Sequence, residues 1–245
     1  MSDRAEVDRL VMETLRHYGR IDILINNAGV MSVGDEPAMQ LEDYEKSLQT
    51  HFWGPYYTIN AVLPYMKAQS SGRIVNISSI GGKISVPHML PYSAGKFALV
   101  GLSEGMHSTL RKEGVKVTTV VPGLMRTGSP RNVTVKGAHE EEYAWFKIAD
   151  SLPFSSMDPE RAAVKILMAC RRGDAALILT LSAKLMTALH GLFPGFTGQV
   201  LSTVTRFLPE SQNTTAKKGY EVESAASQNA LTESTDEQAY RNNEY

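Results

Sequence analysis

Four short runs of β-branched and aliphatic residues alternate with long stretches of helical periodicity, and that alternation limits the chain to one class of fold. The runs are Ile21 to Asn27, Arg73 to Ser79, Val115 to Val121 and Ala175 to Leu181. The first, with Ile21, Ile23, Leu24 and Ile25, is apolar enough to predict burial on both faces of a sheet. Asp3 with Glu6 has the form of a capping box, Val7, Leu10, Val11 and Leu15 follow at helical spacing, and Gly19 closes the helix. Further helices are expected over about Leu41 to Ala68, with Pro64 as a kink, over Tyr92 to Lys112 and over Pro159 to Arg172. Strands joined by helices of this length predict an α/β architecture: a doubly wound parallel sheet with helices on both faces.

Composition narrows the partners. A formal net charge of -1 on 245 residues gives no electrostatic reason to expect nucleic acid. One cysteine, Cys170, excludes an intramolecular disulfide and suits a reducing, cytoplasmic setting. The opening MSDRAEVDRL has no apolar signal core, and no run of apolar residues is long enough to span a membrane. Residues 1–181 form the predicted α/β domain. In 182–209, Leu185, Leu189, Leu192, Phe196, Val200, Val204 and Phe207 keep helical spacing around a break at Pro194-Gly195. This helical extension is expected to pack on the domain or cover a substrate pocket. Peripheral membrane contact is the weaker alternative, because the polar face carries only Lys184, His190 and Arg206. Residues 210–245, polar and poor in apolar side chains, are expected to be disordered, or at most to form a docking peptide.

Ser79 ends the second strand-like run, and Tyr92 and Lys96 lie four apart on one face of the following helix. A free phenol, with a pKa near ~10, is a poor acid-base catalyst at neutral pH, and an ammonium one turn away is a suitable stabiliser of phenolate. Hydroxyl, phenol and ammonium together are the parts of proton-coupled hydride chemistry. Tyr143 and Lys147 repeat the spacing, but no strand ending in Ser precedes them, so that pair is expected on an exposed helix or loop.

With Asn26-Asn27-Ala28-Gly29 after the first strand and Pro122-Gly123 with Thr127 after the third, the chain resembles the short-chain dehydrogenase/reductase family from about Asp3 to Leu181. The resemblance implies a Rossmann-like sheet, an NAD(P) cofactor and no metal. It makes Tyr92 the acid-base on an alcohol or ketone and Lys96 its partner, which lowers the Tyr92 pKa and binds the nicotinamide ribose. Ser79 would polarise the carbonyl. Asn27, Ala28 and Gly29 would line the cofactor, and Pro122, Gly123 and Thr127 would hold its carboxamide. His51 stands where the family often has an Asn that anchors a proton-relay water. It is expected either to serve that relay or to satisfy a backbone group at a helix irregularity.

The family's Gly-x-x-x-Gly-x-Gly turn is absent from the sequence, which begins at the helix before the family's fourth strand. By that comparison the chain is expected to be N-terminally truncated, with a bare outer edge on its first strand. The expected function is NAD(P)-dependent hydride transfer on an alcohol/ketone pair, the alternatives being a non-catalytic fragment that acts as a binding protein or a member with epimerase or dehydratase chemistry. Tyr143, Trp145 and Phe146, within 126–152, suggest an apolar substrate cover. Relatives associate through the two long helices, so a homo-oligomer is expected.

Overall fold

In the computed structural model, which describes residues 2–151, 156–228 and 230–242, helix α1 (Arg4–Tyr18) begins where Asp3 accepts hydrogen bonds from the N–H groups of Ala5 and Glu6. It stops at Gly19, whose φ of 78° is the left-handed conformation that releases the chain into the first strand. Then follow β1 (Ile23–Asn26), α2 (Leu41–Leu48), a π-turn (Gln49–Trp53), α3 (Gly54–Ala68) and β2 (Gly72–Ile77). After these come α4 (Leu90–Leu110), β3 (Val115–Val121), α5 (His139–Ser151), α6 (Pro159–Arg172) and β4 (Ala176–Ile178). The long helix expected over 41–68 is therefore interrupted, at the π-turn and not at Pro64, which lies inside α3.

The four strands form one parallel sheet in the order β1-β2-β3-β4. Its register aligns Leu24 with Ile74 and Ile74 with Val117, so these three share a face. That face packs against α1, α3 and α4 in a core containing Val11, Ile59, Val62, Met66 and Leu110. Val75 and Val120 point the other way, onto Ala162 and Cys170 of α6 and onto Leu179. Helices thus cover both faces, and the doubly wound expectation holds.

β1 departs from its expected burial. It is an edge strand, and Ile23 and Ile25 are 49% and 43% exposed. Both lie on the face covered by α6, which packs over β2, β3 and β4. Leu24 packs into the core on the other face. A strand of this composition was expected to be covered on both sides; here α6 covers its neighbours instead.

Beyond the sheet, α7 (Leu181–Leu192) and α8 (Pro194–Thr205) pack on each other. Leu181, Leu185, Leu192, Phe193, Phe196 and Phe207 are all more than half exposed, and Ala183 is the buried residue of the pair. This hairpin neither buries its apolar stripe on the domain nor covers the cleft described below. No helix among the described residues is long and apolar enough to cross a membrane.

The segment after residue 209 has regular structure where disorder was expected. Lys217–Lys218 pairs antiparallel with Thr134–Val135, which pairs in turn with Ser32–Val33. Helix α9 (Ala230–Arg241) packs on α5. Strand pairing uses backbone groups and needs little apolar surface, which is why composition misled. Ion pairs join the segment to α5. Lys147, fully buried, reaches Asp236 at 2.9 Å and Glu223 at 3.2 Å, and the Tyr143 hydroxyl donates to Glu223. The Tyr143–Lys147 pair is therefore a buried structural anchor, not the exposed segment its spacing suggested.

Candidate active site

The C-terminal ends of β1, β2 and β3 open on one cleft of roughly 510 Å³. Buried polar groups hold these strand ends together. Asn26 donates to Asn76 at 2.9 Å and accepts from Thr58 of α3 at 2.7 Å. Asn76 donates to Ser103 of α4 at 3.0 Å, and Thr119 of β3 donates to the same Ser103 oxygen at 2.7 Å. Each buried group has a partner, so the network fixes three strands and two helices in register instead of destabilising them. It was not foreseen. A lone Asn within RIVNISS, a polar residue in an apolar strand, is the signal that marks it.

All the catalytic and cofactor residues selected from the sequence line the cleft except Ala28 and His51. Ser79 follows β2. Its oxygen accepts the Gly81 N–H at 3.1 Å, which leaves its own proton for the Tyr92 oxygen, to which it is hydrogen-bonded. Gly81 packs closely here: a Cβ would stand 3.0 Å from the Tyr92 ring, which would have to give by a few tenths of an ångström. Tyr92 and Lys96 lie on the first turns of α4. The Lys96 ammonium stands 5.6 Å from the centre of the Tyr92 ring and donates to the Ile77 carbonyl at 3.0 Å. Pro122 accepts from the Ile80 N–H at 2.7 Å, and the Thr127 hydroxyl is turned onto Ser129 at 2.8 Å.

Burial dominates the charge states. It pushes the Tyr92 phenol up to about 12; the Ser79 hydrogen bond opposes this and the nearby Asp150 carboxylate adds to it. The Lys96 ammonium is itself brought down by burial to about 8. Burial is the largest influence on the Tyr92 phenol, and the Lys96 ammonium directs a proton to the Ile77 carbonyl.

His51 sits in the π-turn with both ring nitrogens engaged. Ser47 donates to the Pro91 carbonyl at 2.6 Å, so its oxygen accepts from Nδ1–H at 3.2 Å, while Nε2 accepts the Val30 N–H at 3.2 Å. Burial, and then the Lys96 charge, bring it down to about 3, which keeps the ring neutral. It meets the Tyr92 ring edge to face at 5.4 Å.

Phe146, expected in an apolar substrate cover, projects into the cleft from α5, whereas Tyr143 and Trp145 do not line it. The cleft also has residues the sequence did not single out: Asp150, from α5, and Lys218, from the segment expected to be disordered. Asp150 is embedded in an acidic helix, HEEEYAWFKIADS, where nothing separates it from the glutamates before it.

A family model described as short chain dehydrogenase matches residues 1–136, more than half of the chain. The chain belongs to the short-chain dehydrogenase family. It is an oxidoreductase of that type. Among similar short-chain dehydrogenases and oxidoreductases, a putative oxidoreductase, SadH, of Mycobacterium tuberculosis is 33% identical over 196 residues, 79% of this chain and 70% of that protein. A solved short-chain dehydrogenase from Streptomyces avermitilis superposes with a TM-score of 0.69 at 29% identity, covering 84% of this chain and 78% of that one. A gluconate 5-dehydrogenase of Burkholderia cenocepacia, solved with NADP and tartrate, shares the fold at a TM-score of 0.63 and 23% identity, over 75% of this chain and 72% of that one.

Proposed function

We propose that the cleft transfers hydride between NAD(P) and an alcohol/ketone substrate, with Tyr92 as the acid-base. The observation that carries this is the meeting of Ser79, Tyr92 and Lys96 at the strand ends of one cleft. The residues suit the nicotinamide end of the cofactor. A Cβ at Gly29 would stand 3.3 Å from His51 Nε2 and 3.8 Å from Lys96 Nζ, so the glycine leaves room above the ammonium for a ribose. Asn27 and Gly29 border that space, and Pro122, Gly123 and Thr127 face it with groups able to hold a carboxamide. When bound, nicotinamide supplies or accepts the hydride.

The chain's own residues manage the proton. Ser79 donates to the substrate carbonyl and polarises it. Tyr92, neutral because its pKa is pushed up to about 12, gives its proton to that oxygen as it becomes an alkoxide. The Lys96 ammonium stabilises the phenolate left behind, which regains a proton from water in the cleft. A neutral phenol suits reduction of the ketone better than oxidation of the alcohol at neutral pH. In this reading His51 holds the Val30 backbone and the Tyr92 ring in place, and relays no proton.

The apolar lining, with Met31, Val86, Met89 and Phe146, supports an apolar substrate. We also propose association of two copies through α3, α4 and the adjoining end of the π-turn, where Trp53, Tyr56, Tyr65 and Phe97 are exposed. Sedimentation of a Y56E/F97E variant as a monomer would support it. The single free Cys170 supports a cytoplasmic setting.

The test is Tyr92→Phe. Reduction of a ketone panel with NADPH or NADH is expected to fall by about 10²–10⁴-fold while cofactor binding, followed by fluorescence, persists. Failure of the wild-type chain to bind either cofactor at millimolar concentration would favour the non-catalytic reading.

A further inference from the structure

Asp150 is a buried acid that neither the fold nor the chemistry above accounts for. It is 6% exposed, and it lines the same cleft as Ser79 and Tyr92. The Met125 backbone N–H hydrogen-bonds its carboxyl group, but Oδ2 has no partner among the described residues. The other buried acid of α5, Glu142, contrasts with it: one oxygen takes His88 Nδ1 at 2.7 Å and the other takes Trp145 Nε1 at 2.7 Å. A buried carboxylate oxygen without a partner is costly, and a folded chain retains one where a ligand completes it. The carboxylate is near enough to Tyr92 for its charge to raise the phenol. Whatever it meets therefore lies close to the reacting oxygen. Around it the lining is apolar, with Phe146 one turn earlier on α5 and Met125 beneath.

We infer that Asp150 is a specificity residue which accepts a hydrogen bond from a donor on the substrate, a hydroxyl or ammonium group borne near the reacting carbonyl. This rests on the cleft being the substrate site proposed above and makes the substrate class more definite. The substrate is an otherwise apolar ketone with a neighbouring hydroxyl or amine, not a plain ketone. A site with an unsatisfied buried acceptor discriminates strongly against the analogue that lacks the donor, because the acceptor is then left bare.

The experiment compares binding of acetophenone, its α-hydroxy and α-amino derivatives and the β-hydroxy homologue to the wild-type chain, Asp150→Ala and Asp150→Asn. Binding is read by calorimetry and by thermal shift, with circular dichroism to confirm that each variant is folded. At least one donor-bearing ketone is expected to bind wild type about 10-fold or more tightly than acetophenone. In Asp150→Ala that ratio falls to within about 2-fold of unity. Asp150→Asn, which keeps a neutral acceptor, separates the two donors: a hydroxyl preference survives in part and an ammonium preference is lost. A wild type indifferent to the donor, or a preference that survives in Asp150→Ala, would overturn the inference. Cofactor turnover is measured in parallel. Preference for the donor without any turnover would sink the oxidoreductase reading while leaving this assignment standing.

Discussion

Tyr92, Lys96 and Asp150 share a site where burial moves each of them toward its neutral form, and for Asp150 this has a measurable cost. Its pKa rises from 3.8 to about 7, mainly through desolvation. The folded state thus holds its proton more tightly than the unfolded state does. The associated stability is fully present below about pH 4 and is lost as pH rises through 7. Asp150→Asn removes that loss. The variant is expected to be more stable than wild type at pH 8, by on the order of 2–4 kcal/mol, and to match it near pH 4. Urea denaturation at the two pH values checks this, and an equal difference at both would refute it. His51 behaves in the opposite sense. Its pKa is lowered to about 3, so no ionisation of this ring falls near neutrality, and its nitrogens are already committed. His51→Asn is expected to leave the shape of the pH-rate profile unchanged. Loss of a limb would return His51 to a proton relay. Spacing revealed Ser79, Tyr92 and Lys96 because their chemistry requires a fixed geometry on one strand end and one helix. The same spacing led to the expectation of a Tyr92 phenol lowered by Lys96, but charge state depends on how many atoms surround each group, and burial raises this one.

Among the elements, strands and helices were legible wherever apolar periodicity sets them, and not where tertiary contacts do. The pattern over 41–68 reads as continuous helix, yet the π-turn at Gln49–Trp53 intervenes. One extra residue in a turn leaves little trace in hydropathy, and here the turn carries His51 to the Val30 N–H, a partner distant in sequence. Gly95 shows how tightly the turn is packed. A Cβ there would lie 2.6 Å from Ser47 Oγ and 2.9 Å from His51 Nδ1. Gly95→Ala is expected to destabilise the fold by about 1–3 kcal/mol, although alanine is the better helix former, because α2 and the π-turn must be pushed away from α4. Chemical denaturation measures this, and a stabilised variant would show the packing to be looser. β1 failed differently: its apolar residues were recognised correctly, but the sequence of one strand does not tell which helix reaches across it.

At the scale of the whole molecule, the least legible part is the polar segment after residue 209, which composition marks as disordered and the structure builds into the wall of the cleft. Lys218 lines that wall, and its ammonium reaches the Asn132 carbonyl at 3.3 Å. Lys147, fully buried and facing Glu223 and Asp236, ties the segment to α5, alongside the His139 contact with the Thr215 carbonyl and the packing of Val222 with Tyr143 and Phe146. Both carboxylates are partly exposed, so each keeps some hydration while the lysine keeps none. The pairing therefore neutralises a charge the core could not otherwise hold. Substituting both acids, E223Q/D236N, leaves that ammonium buried without a counter-charge. The double variant is expected to lose roughly 2–4 kcal/mol of stability and to be cleaved by protease within 211–228 well before wild type. Lys147→Met separates the two effects. A neutral apolar side chain in that space is tolerated by the core, so overall stability is expected to change by less than about 1.5 kcal/mol while the segment is still released to protease. Equal protection of the segment in all three proteins would mean that strand pairing at Lys217–Lys218, and not the buried lysine, holds it in place.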